Sequence, residues 1–260
     1  MTPRRRILFG QGLSAEAKAW EANIKNNGGT IPAATLKIFD DYFFKPAKAN
    51  GNILTEADRL NIWCGLNGYE IAARTNTINS SHFVTPVSSP TFDNNGYKSS
   101  GTSYLNLNYN PNSSTKLTQN SSTVGYIVDS PTYAALIRGI GSSDANNLLV
   151  SETVGANRVF NNSGGGSNSS TTASGIVLLG TQRINSANQR TIVNGTLESF
   201  AVASTGRPNL SMFELTHNNG GSPAGNYDTK YHRASFCGSG NLDVINLRLI
   251  LLNLFTALGL

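Results

Sequence analysis

The residues of this chain that could catalyse a reaction are few. His82, His217 and His232 are its only histidines, and a zinc site needs three or four converging ligands. His217, Asp228 and His232 can approach one another across a hairpin, but hydrogen-bonded structural roles are the more common use of such residues. The sequence therefore predicts no metal centre and no bound cofactor.

Carboxylates are the other candidates, because a glycosidase built on a sandwich needs two of them on one face, roughly 5 to 10 Å apart. The available acids are Glu152, Glu198, Glu214 and Asp228. Glu198 lies in an alternating strand and Glu214 stands between two apolar residues, so both are predicted to point outward as isolated acids. The chain also lacks the phosphate-loop, His-Glu-x-x-His, Cys-x-x-Cys and Gly-x-Ser-x-Gly patterns. These observations predict no catalytic residues and a protein that is not an enzyme.

Exposed aromatic side chains flanked by amide and carboxylate groups are typical of sugar sites. Tyr227 with Asn226 and Asp228 forms one such group, and Tyr104 with Asn106 forms another. Both groups are predicted glycan contacts. The alternative is that they are ordinary surface tyrosines of a β-protein.

The elements that position these residues change in type near residues 91–111, TFDNNGYKSSGTSYLNLNYNP. Before this stretch the apolar spacing is helical, and after it strands and turns alternate. Within it, Leu105 and Leu107 are predicted to face the core, with Tyr104 and Asn106 on the opposite side of the strand.

Three helices are predicted in the N-terminal part. The first is capped by Ser14, the second covers residues 32–44, and the third follows Thr55 and contains Leu60 and Trp63. Three short helices bury too little surface to be stable alone, so they are expected to pack on the rest of the chain.

Short strand candidates recur after residue 120, separated by turns rich in Gly, Asn and Ser. They cover residues 124–129, 133–138, 147–151, 158–161, 175–179, 189–193, 197–203, 210–216 and 231–237. Asn194-Gly195 predicts a two-residue hairpin, because both positions of a type I′ turn need a positive φ. The segment 161–175, NNSGGGSNSSTTASG, predicts a mobile loop at a sheet edge. The whole pattern predicts an antiparallel sandwich or barrel.

The chain ends in an apolar segment, residues 242–258, that is predicted to be a helix. It would span roughly 25 Å, short of a bilayer core, and it contains Asp243 and Arg248, so no membrane span is predicted. One apolar strip follows an a/d spacing and predicts contacts within a homo-oligomer, with burial against the N-terminal helices as the alternative. The residues of that strip are Leu247, Leu251, Leu254 and Leu258.

Composition excludes some classes of partner. Only 13% of the 260 residues are charged and 38% are hydrophobic, with Asn, Ser, Thr and Gly filling the difference. That neutral polar surface is typical of extracellular and virion β-proteins. The net charge is +5, but the main cluster of basic residues is the run at residues 4–6, so no nucleic-acid partner is predicted.

Cys64 and Cys237 are predicted to be free, buried thiols, and no signal peptide is evident.

The predicted organisation has four parts: an N-terminal arm at 1–12, a helical attachment segment at 13–75, a β-sandwich at 76–240 and a C-terminal helix at 241–260. The arm combines basic and apolar residues, which favours anchoring to a larger assembly, and the alternative is a frayed terminus. The predicted anchoring residues are Arg4, Arg5, Arg6, Ile7, Leu8 and Phe9.

The order of these features resembles the concanavalin A-like, laminin-G-like sandwich modules that are common in bacteriophage virion proteins. Three motifs carry the resemblance: the run TEADRLNIWCGLN, the passage TFDNNGYKSSGTSYLNLNYNP, and the hairpin RTIVNGTL followed by a terminal helix that closes in ALG. The second motif is similar to the family's Thr-Phe…Gly-Tyr…Gly…Ser-Tyr-Leu pattern at the start of the sandwich. The resemblance covers residues 20–259.

The resemblance implies a mainly β fold, an antiparallel jelly-roll sandwich with a small N-terminal helical segment and a C-terminal helix. It implies a non-enzymatic structural protein of a phage particle, such as a head or tail fibre, spike or decoration subunit. Such a protein is made in the cytoplasm of the bacterial host and displayed on the virion towards host surface glycans.

The expected partners are other virion proteins, further copies of the chain and a host glycan. Sandwich relatives of this family sometimes bind calcium at rim loops. Apart from residues 93–95, the sequence has no Asp-rich loop that would predict such a site. The alternatives are a free lectin or adhesin module and a sandwich-fold polysaccharide hydrolase or lyase.

Overall fold

The structure is a computed structural model that describes residues 12–260. The predicted anchoring residues, Arg4, Arg5, Arg6, Ile7, Leu8 and Phe9, lie outside the described residues.

The N-terminal part of the described chain is mainly helical. Its helices are α1 (Ala15–Asn26), α2 (Ala33–Phe39), α3 (Lys45–Ala49), α4 (Ile53–Glu56) and α5 (Glu70–Arg74), with a π-helical turn (Asp40–Phe44) joining α2 to α3. The predicted cap is confirmed, since the Ser14 hydroxyl accepts a hydrogen bond from the Ala17 N–H at 3.2 Å. The second helix was predicted to end at residue 44, before Pro46, but helical structure continues into α3. Pro46 lies in the first turn of α3, where the missing backbone N–H is tolerated.

The predicted third helix is wrong. The segment that contains Leu60 forms strand β1 (Ala57–Ile62), which pairs antiparallel with β17 (His232–Gly238). Every residue of β1 except Asp58 is buried. A strand that is buried on both faces shows no alternation between apolar and polar residues, so its local pattern does not distinguish it from a helix.

Eight strands form the first sheet of the described chain. Besides β1 and β17 they are β3 (Thr91–Asp93), β4 (Gly96–Lys98), β6 (Ser122–Asp129), β11 (Ile176–Arg183), β12 (Gln189–Val193) and β13 (Thr196–Phe200). Their order is β13-β12-β11-β6-β17-β4-β3, and β1 also pairs with β17.

Nine strands form the second sheet of the described chain. They are β2 (Thr85–Val87), β5 (Tyr104–Asn106), β7 (Ile137–Ser143), β8 (Asn147–Thr153), β9 (Ala156–Ser163), β10 (Ser167–Ser169), β14 (Phe213–Glu214), β15 (Asn218–Asn219) and β16 (Ser222–Pro223). The main path is β10-β9-β8-β7-β14-β5-β2. The pairs are antiparallel except that β15 runs parallel to β7.

The two sheets and the helices share one hydrophobic core, which confirms the predicted mainly β sandwich. Trp20 from α1, Phe39 from α2 and Leu105 from β5 all belong to that core. Leu107 is buried as predicted, while Tyr104 and Asn106 on the opposite face are only half-buried.

The predicted hairpin joins β12 to β13, with φ values of 51° at Asn194 and 90° at Gly195. The Asn194 side-chain carbonyl accepts from the Leu178 N–H at 2.9 Å and from Arg248 Nε at 3.1 Å. The Gly- and Ser-rich segment departs from its prediction as a loop. It supplies the end of β9 and the edge strand β10, because buried polar partners such as Gln189 satisfy its backbone.

The C-terminal helix is α6 (Val244–Ala257), capped by Asp243, whose carboxylate accepts from the Asn246 N–H at 3.0 Å. No helix among residues 12–260 has the length and apolar character needed to cross a membrane. Cys64 and Cys237 are free and buried, as predicted.

Three of the four leucines predicted to make oligomer contacts are fully buried inside the chain. Leu247, Leu251 and Leu254 are 0% exposed, and Leu258 is partly buried against the same core. Leu247, Leu251 and Leu254 are therefore not available to a second subunit, because α6 packs them against the helical part of the chain, which was the alternative. The outer strip of α6 instead exposes Ile245 and Leu249.

Candidate functional site

A continuous row of side chains crosses the outer face of the second sheet. Phe213 on β14 pairs with Gly141 on β7, Gly141 pairs with Leu149 on β8, and Leu149 pairs with Phe160 on β9. Directly opposed residues in a sheet point to the same face. The neighbouring row, which faces the core, consists of Ile140, Val150 and Val159.

A second outer row carries charge. Arg138 on β7 pairs with Ser151 on β8, and Ser151 pairs with Arg158 on β9. A bulge between Arg138 and Ile140 keeps Arg138 on the outer face while the residues after it turn to the core. Both arginines therefore lie on the same face of the sheet, with a small residue between them.

The two rows enclose a cavity of about 260 Å³. Its walls combine two arginines, one histidine, small polar side chains and three apolar ones. The lining residues are Leu136, Arg138, Ser143, Asn147, Leu149, Ser151, Arg158, Phe160, His217 and Asn219. Such a mixture can bind a small polar ligand.

The electrostatics of the cavity are set by burial and by its two cations. Nη1 of Arg138 lies 3.1 Å from Nδ1 of His217. Burial, followed by the charge of Arg138, lowers the pKa of His217 to about 3, so this imidazole is neutral and accepts from Arg138. Burial and then the charge of Arg158 lower the pKa of Arg138. The guanidinium of Arg158 lies over the Phe160 ring, 5.0 Å from its centroid.

Three of the predicted glycan contacts, Tyr104, Asn106 and Tyr227, lie on this same face. The Tyr104 and Phe213 rings pack with centroids 4.5 Å apart and planes tilted by 33°. Burial, followed by the charge of Tyr227, raises the pKa of Tyr104. Tyr227 forms a bridge with Arg138, whose N–H donates to the Asn226 carbonyl at 3.0 Å.

Asn106 faces the same side as Tyr104 and is half-buried. Its side-chain carbonyl accepts from the Asn108 N–H at 3.0 Å, which leaves the amide N–H groups to a ligand. The fold thus joins two groups that are far apart in the sequence into one surface.

Asp228 does not belong to this surface, so that part of the prediction needs correction. Its side chain is 0% exposed. One carboxylate oxygen lies 3.1 Å from Nε2 of His232, and the other accepts from the Lys230 N–H at 2.9 Å. Asp228 therefore belongs to an interior hydrogen-bond network and cannot touch a ligand on the outer face.

Glu214 is the second member of that network, and the prediction that it points outward is wrong. It accepts from Trp63 Nε1 at 3.1 Å and from the Ser235 hydroxyl at 2.6 Å, and it lies 2.9 Å from Nδ1 of His232. Strand β14 has only two residues, and Phe213 takes the outer face, so Glu214 must face the core.

His232 links the two acids. Burial alone would lower its pKa, but the hydrogen bonds and charges of Asp228 and Glu214 raise it to about 9. The imidazolium donates both of its N–H groups, and its ring stacks on Tyr126 with centroids 4.4 Å apart. His217 lies against Arg138 and takes no part in this network, so the structure does not bring together the three residues considered as zinc ligands.

The remaining acids are also away from the cavity. Glu152 is fully buried, where it binds Lys230 at 3.0 Å and accepts from the Thr132 N–H at 3.0 Å. Glu198 is on β13 in the other sheet. None of the described residues lining the cavity is a carboxylate.

Arg138 and Arg158 were not among the predicted site residues, and His217 was considered only as a zinc ligand. The strand predictions covered both arginines, and each lies next in sequence to a residue that points to the core. Their convergence depends on the pairing of β7, β8 and β9, which the local pattern does not contain.

The fold is an antiparallel jelly-roll sandwich with N-terminal helices and a C-terminal helix, as predicted. The sequence matches no protein-family model and no curated protein sequence. Among solved structures, a mutant of HCR/D with one tryptophan replaced by alanine is similar, with a TM-score of 0.52 at 10% identity over 78% of this chain and 53% of that chain.

Two further structures are similar at lower scores. The botulinum neurotoxin serotype D binding domain has a TM-score of 0.49 at 13% identity, over 77% of this chain and 51% of that chain. The sialidase of Trypanosoma rangeli, in complex with sialic acid, has a TM-score of 0.47 at 9% identity, over 85% of this chain and 39% of that chain. The chain spans about half the length of the HCR/D structure. At 10% identity, the similarity to the HCR/D structure shows a shared fold and nothing about activity.

Proposed function

We propose that the protein is a non-enzymatic structural protein of a phage particle, a head or tail fibre, spike or decoration subunit, that contacts host surface glycans. The glycan contact is assigned to the outer surface of the second sheet around Tyr104, Phe213, Tyr227 and the cavity, hereafter the glycan face. The observation that carries the proposal is the convergence of aromatic rings and a polar cavity on this one face.

Aromatic rings and small polar groups are what a saccharide requires. The apolar face of a sugar ring packs on an aromatic side chain, and its hydroxyls need amide or hydroxyl partners. Tyr104 offers a half-buried ring, and Asn219 in the cavity offers an exposed amide. The cavity, at about 260 Å³, lies just below the roughly 300 to 1,000 Å³ of sites for drug-sized ligands, so it suits one end of a saccharide.

The absence of acids around the cavity supports a binding role over hydrolysis. A glycosidase needs an acid and a second carboxylate flanking the scissile bond. Glu152 and Glu214 are buried on the core side with their oxygens already bonded. No observation favours the hydrolase or lyase alternative.

The particle role is supported by the neutral polar composition and by the order of motifs along the chain. It implies other virion proteins and further copies of the chain as partners, and a location on the surface of the particle. Antibody labelling of purified particles in the electron microscope tests this role, and particles without label would contradict it.

A glycan array tests the binding role. The wild-type protein is expected to bind a subset of bacterial surface glycans, and Tyr104→Ala is expected to weaken that binding about tenfold or more because it removes the packing ring. Tyr42→Ala is the matched control, since Tyr42 is 39% exposed in the π-helical turn, away from the glycan face. An array that stays blank at high protein concentration would reject glycan binding.

A further inference from the structure

We infer that the glycan bound by this face is acidic, and that its carboxylate or sulfate group is held between Arg138 and Arg158. The inference rests on the proposed glycan-binding function and narrows it to one chemical class of ligand. The observation that carries it is the placement of two cations without acidic partners in one cavity.

The register of the sheet brings the two arginines to the same cavity. They flank Ser151 on adjacent strands, so their backbones are separated by two strand spacings, roughly 10 Å. The Ser151 hydroxyl donates to the Arg158 carbonyl at 3.1 Å, so it stays against the backbone and leaves the space between the guanidinium groups open. An anionic group of a few ångströms fits between two side chains as long as arginine at that separation.

Neither cation is neutralised within the described residues. The described ion pairs include Arg233 with Asp129 and Arg59 with Glu214, but none with Arg138 or Arg158. Nε of Arg138 is buried and has no hydrogen-bond partner in the protein. A buried donor on a charged group is costly to leave unpaired, so an anion that accepts from Arg138 Nε would be bound favourably.

Both guanidinium groups are held in place before a ligand arrives. Arg138 donates to the neutral His217, which fixes its position without cancelling its charge. The Arg158 guanidinium lies over the Phe160 ring, and Arg158 lines the cavity. Two guanidinium groups held in position can bind a carboxylate or sulfate through charge-assisted hydrogen bonds, which are about twice as strong as hydrogen bonds between neutral groups.

A saccharide fits this arrangement better than a nucleic acid does. A phosphate backbone is bound by an extended basic surface, and its affinity grows with each phosphate neutralised. Here the two arginines are the basic members of the cavity lining, and amides, hydroxyls and apolar groups form the rest. That setting suits one acidic group on an otherwise neutral ligand.

The test uses matched pairs of ligands in a binding assay with the full chain. Hyaluronan oligosaccharides are compared with their carboxyl-reduced forms, and sulfated dextran oligosaccharides with plain dextran, which separates carboxylate from sulfate as the source of the anion. A labelled single-stranded oligonucleotide is included as a polyanion without sugar acids. We expect at least one acidic member to bind tenfold or more tightly than its neutral partner, and more tightly than the oligonucleotide.

Three arginine variants complete the test. Arg158→Gln changes an exposed residue and should fold normally, and both it and Arg138→Gln are expected to lose about 10- to 100-fold in affinity for the acidic member only. Arg190→Gln on β12, in the other sheet, removes the same charge and should bind as the wild type does.

Equal binding of both members of each pair would overturn the inference and leave glycan binding intact. An equal loss with Arg190→Gln, or preferred binding of the oligonucleotide, would also overturn it, since bulk charge would then explain the result. Failure to bind any saccharide, neutral or acidic, would reject the proposed function as well.

Discussion

The interior network around His232 makes stability depend on pH in a defined direction. In the folded chain the pKa of His232 is about 9, against 6.5 for an unperturbed histidine. Because the folded value is the higher one, the stabilisation is fully present below about pH 6.5 and is lost as pH rises through about 9. The chain is therefore expected to lose stability across mildly alkaline pH, where many proteins change little.

The size of the effect follows from the two pKa values. At about 1.36 kcal/mol per pKa unit, the full difference corresponds to roughly 3 kcal/mol. Linkage over the window from about pH 7.0 to 8.5 gives a loss of roughly 2 kcal/mol of that total. Below this window the unfolded form of His217 begins to bind protons. In the upper part of the window the unfolded thiols of Cys64 and Cys237 begin to ionise, and because burial raises their folded pKa to about 12, they add a smaller loss of the same sign.

Urea unfolding at several pH values within that window measures the loss, and an NMR titration of the imidazoles assigns it. The matched control is His82→Gln, which removes a histidine that is only partly buried and should leave the slope unchanged. His232→Gln should be less stable at pH 7 and should show a clearly smaller slope than the wild type, with the remainder due to the two buried thiols. A wild-type stability that is flat or rising from pH 7.0 to 8.5, or an imidazole pKa below 7 for His232, would refute the reasoning.

Two further predictions concern packing. Gly139→Ala is expected to destabilise the fold by roughly 1 to 3 kcal/mol, because the added methyl group would overlap the buried Tyr126 ring. Gly164→Ala is the control in the same urea unfolding assay. It should leave the free energy of unfolding almost unchanged, because nothing lies within 4 Å of its added carbon. Leu251→Ala should cost roughly 2 to 5 kcal/mol as a fully buried leucine of α6, whereas Leu249→Ala, at 49% exposure, should stay within about 0.5 kcal/mol. Equal stability of the two leucine variants in thermal melts would contradict the packing of α6 inside the chain.

The features that sequence analysis predicted correctly are set by local chemistry. The Asn194-Gly195 turn needs only two residues that adopt positive φ, and the alternation of Tyr104 and Leu105 needs only one strand. Strand β1 could not be predicted in the same way, because Leu60 is in a strand only through its pairing with Phe236 in β17.

The candidate site was predictable in part. Tyr104 and Tyr227 were selected by residue type, and the fold places both on one face. Glu214 was misplaced because a two-residue strand contains too little alternation to show its direction. Arg138 and Arg158 become a pair only when three strands are in register, and register depends on the whole sheet.

Gly141 lies in the outer row between Phe213 and Leu149. Because it has no side chain, nothing at this position separates the Tyr104 and Phe213 rings from the cavity. A Cβ atom there would meet Leu149 Cβ at 2.5 Å, so the gap cannot be filled without moving the neighbouring strand. The row from Phe213 to Phe160 crosses three strand spacings, about 14 Å. Under the proposed function, a ligand that occupies both ends is an oligosaccharide lying across the strands, and the absence of a side chain at Gly141 leaves its path across the sheet open.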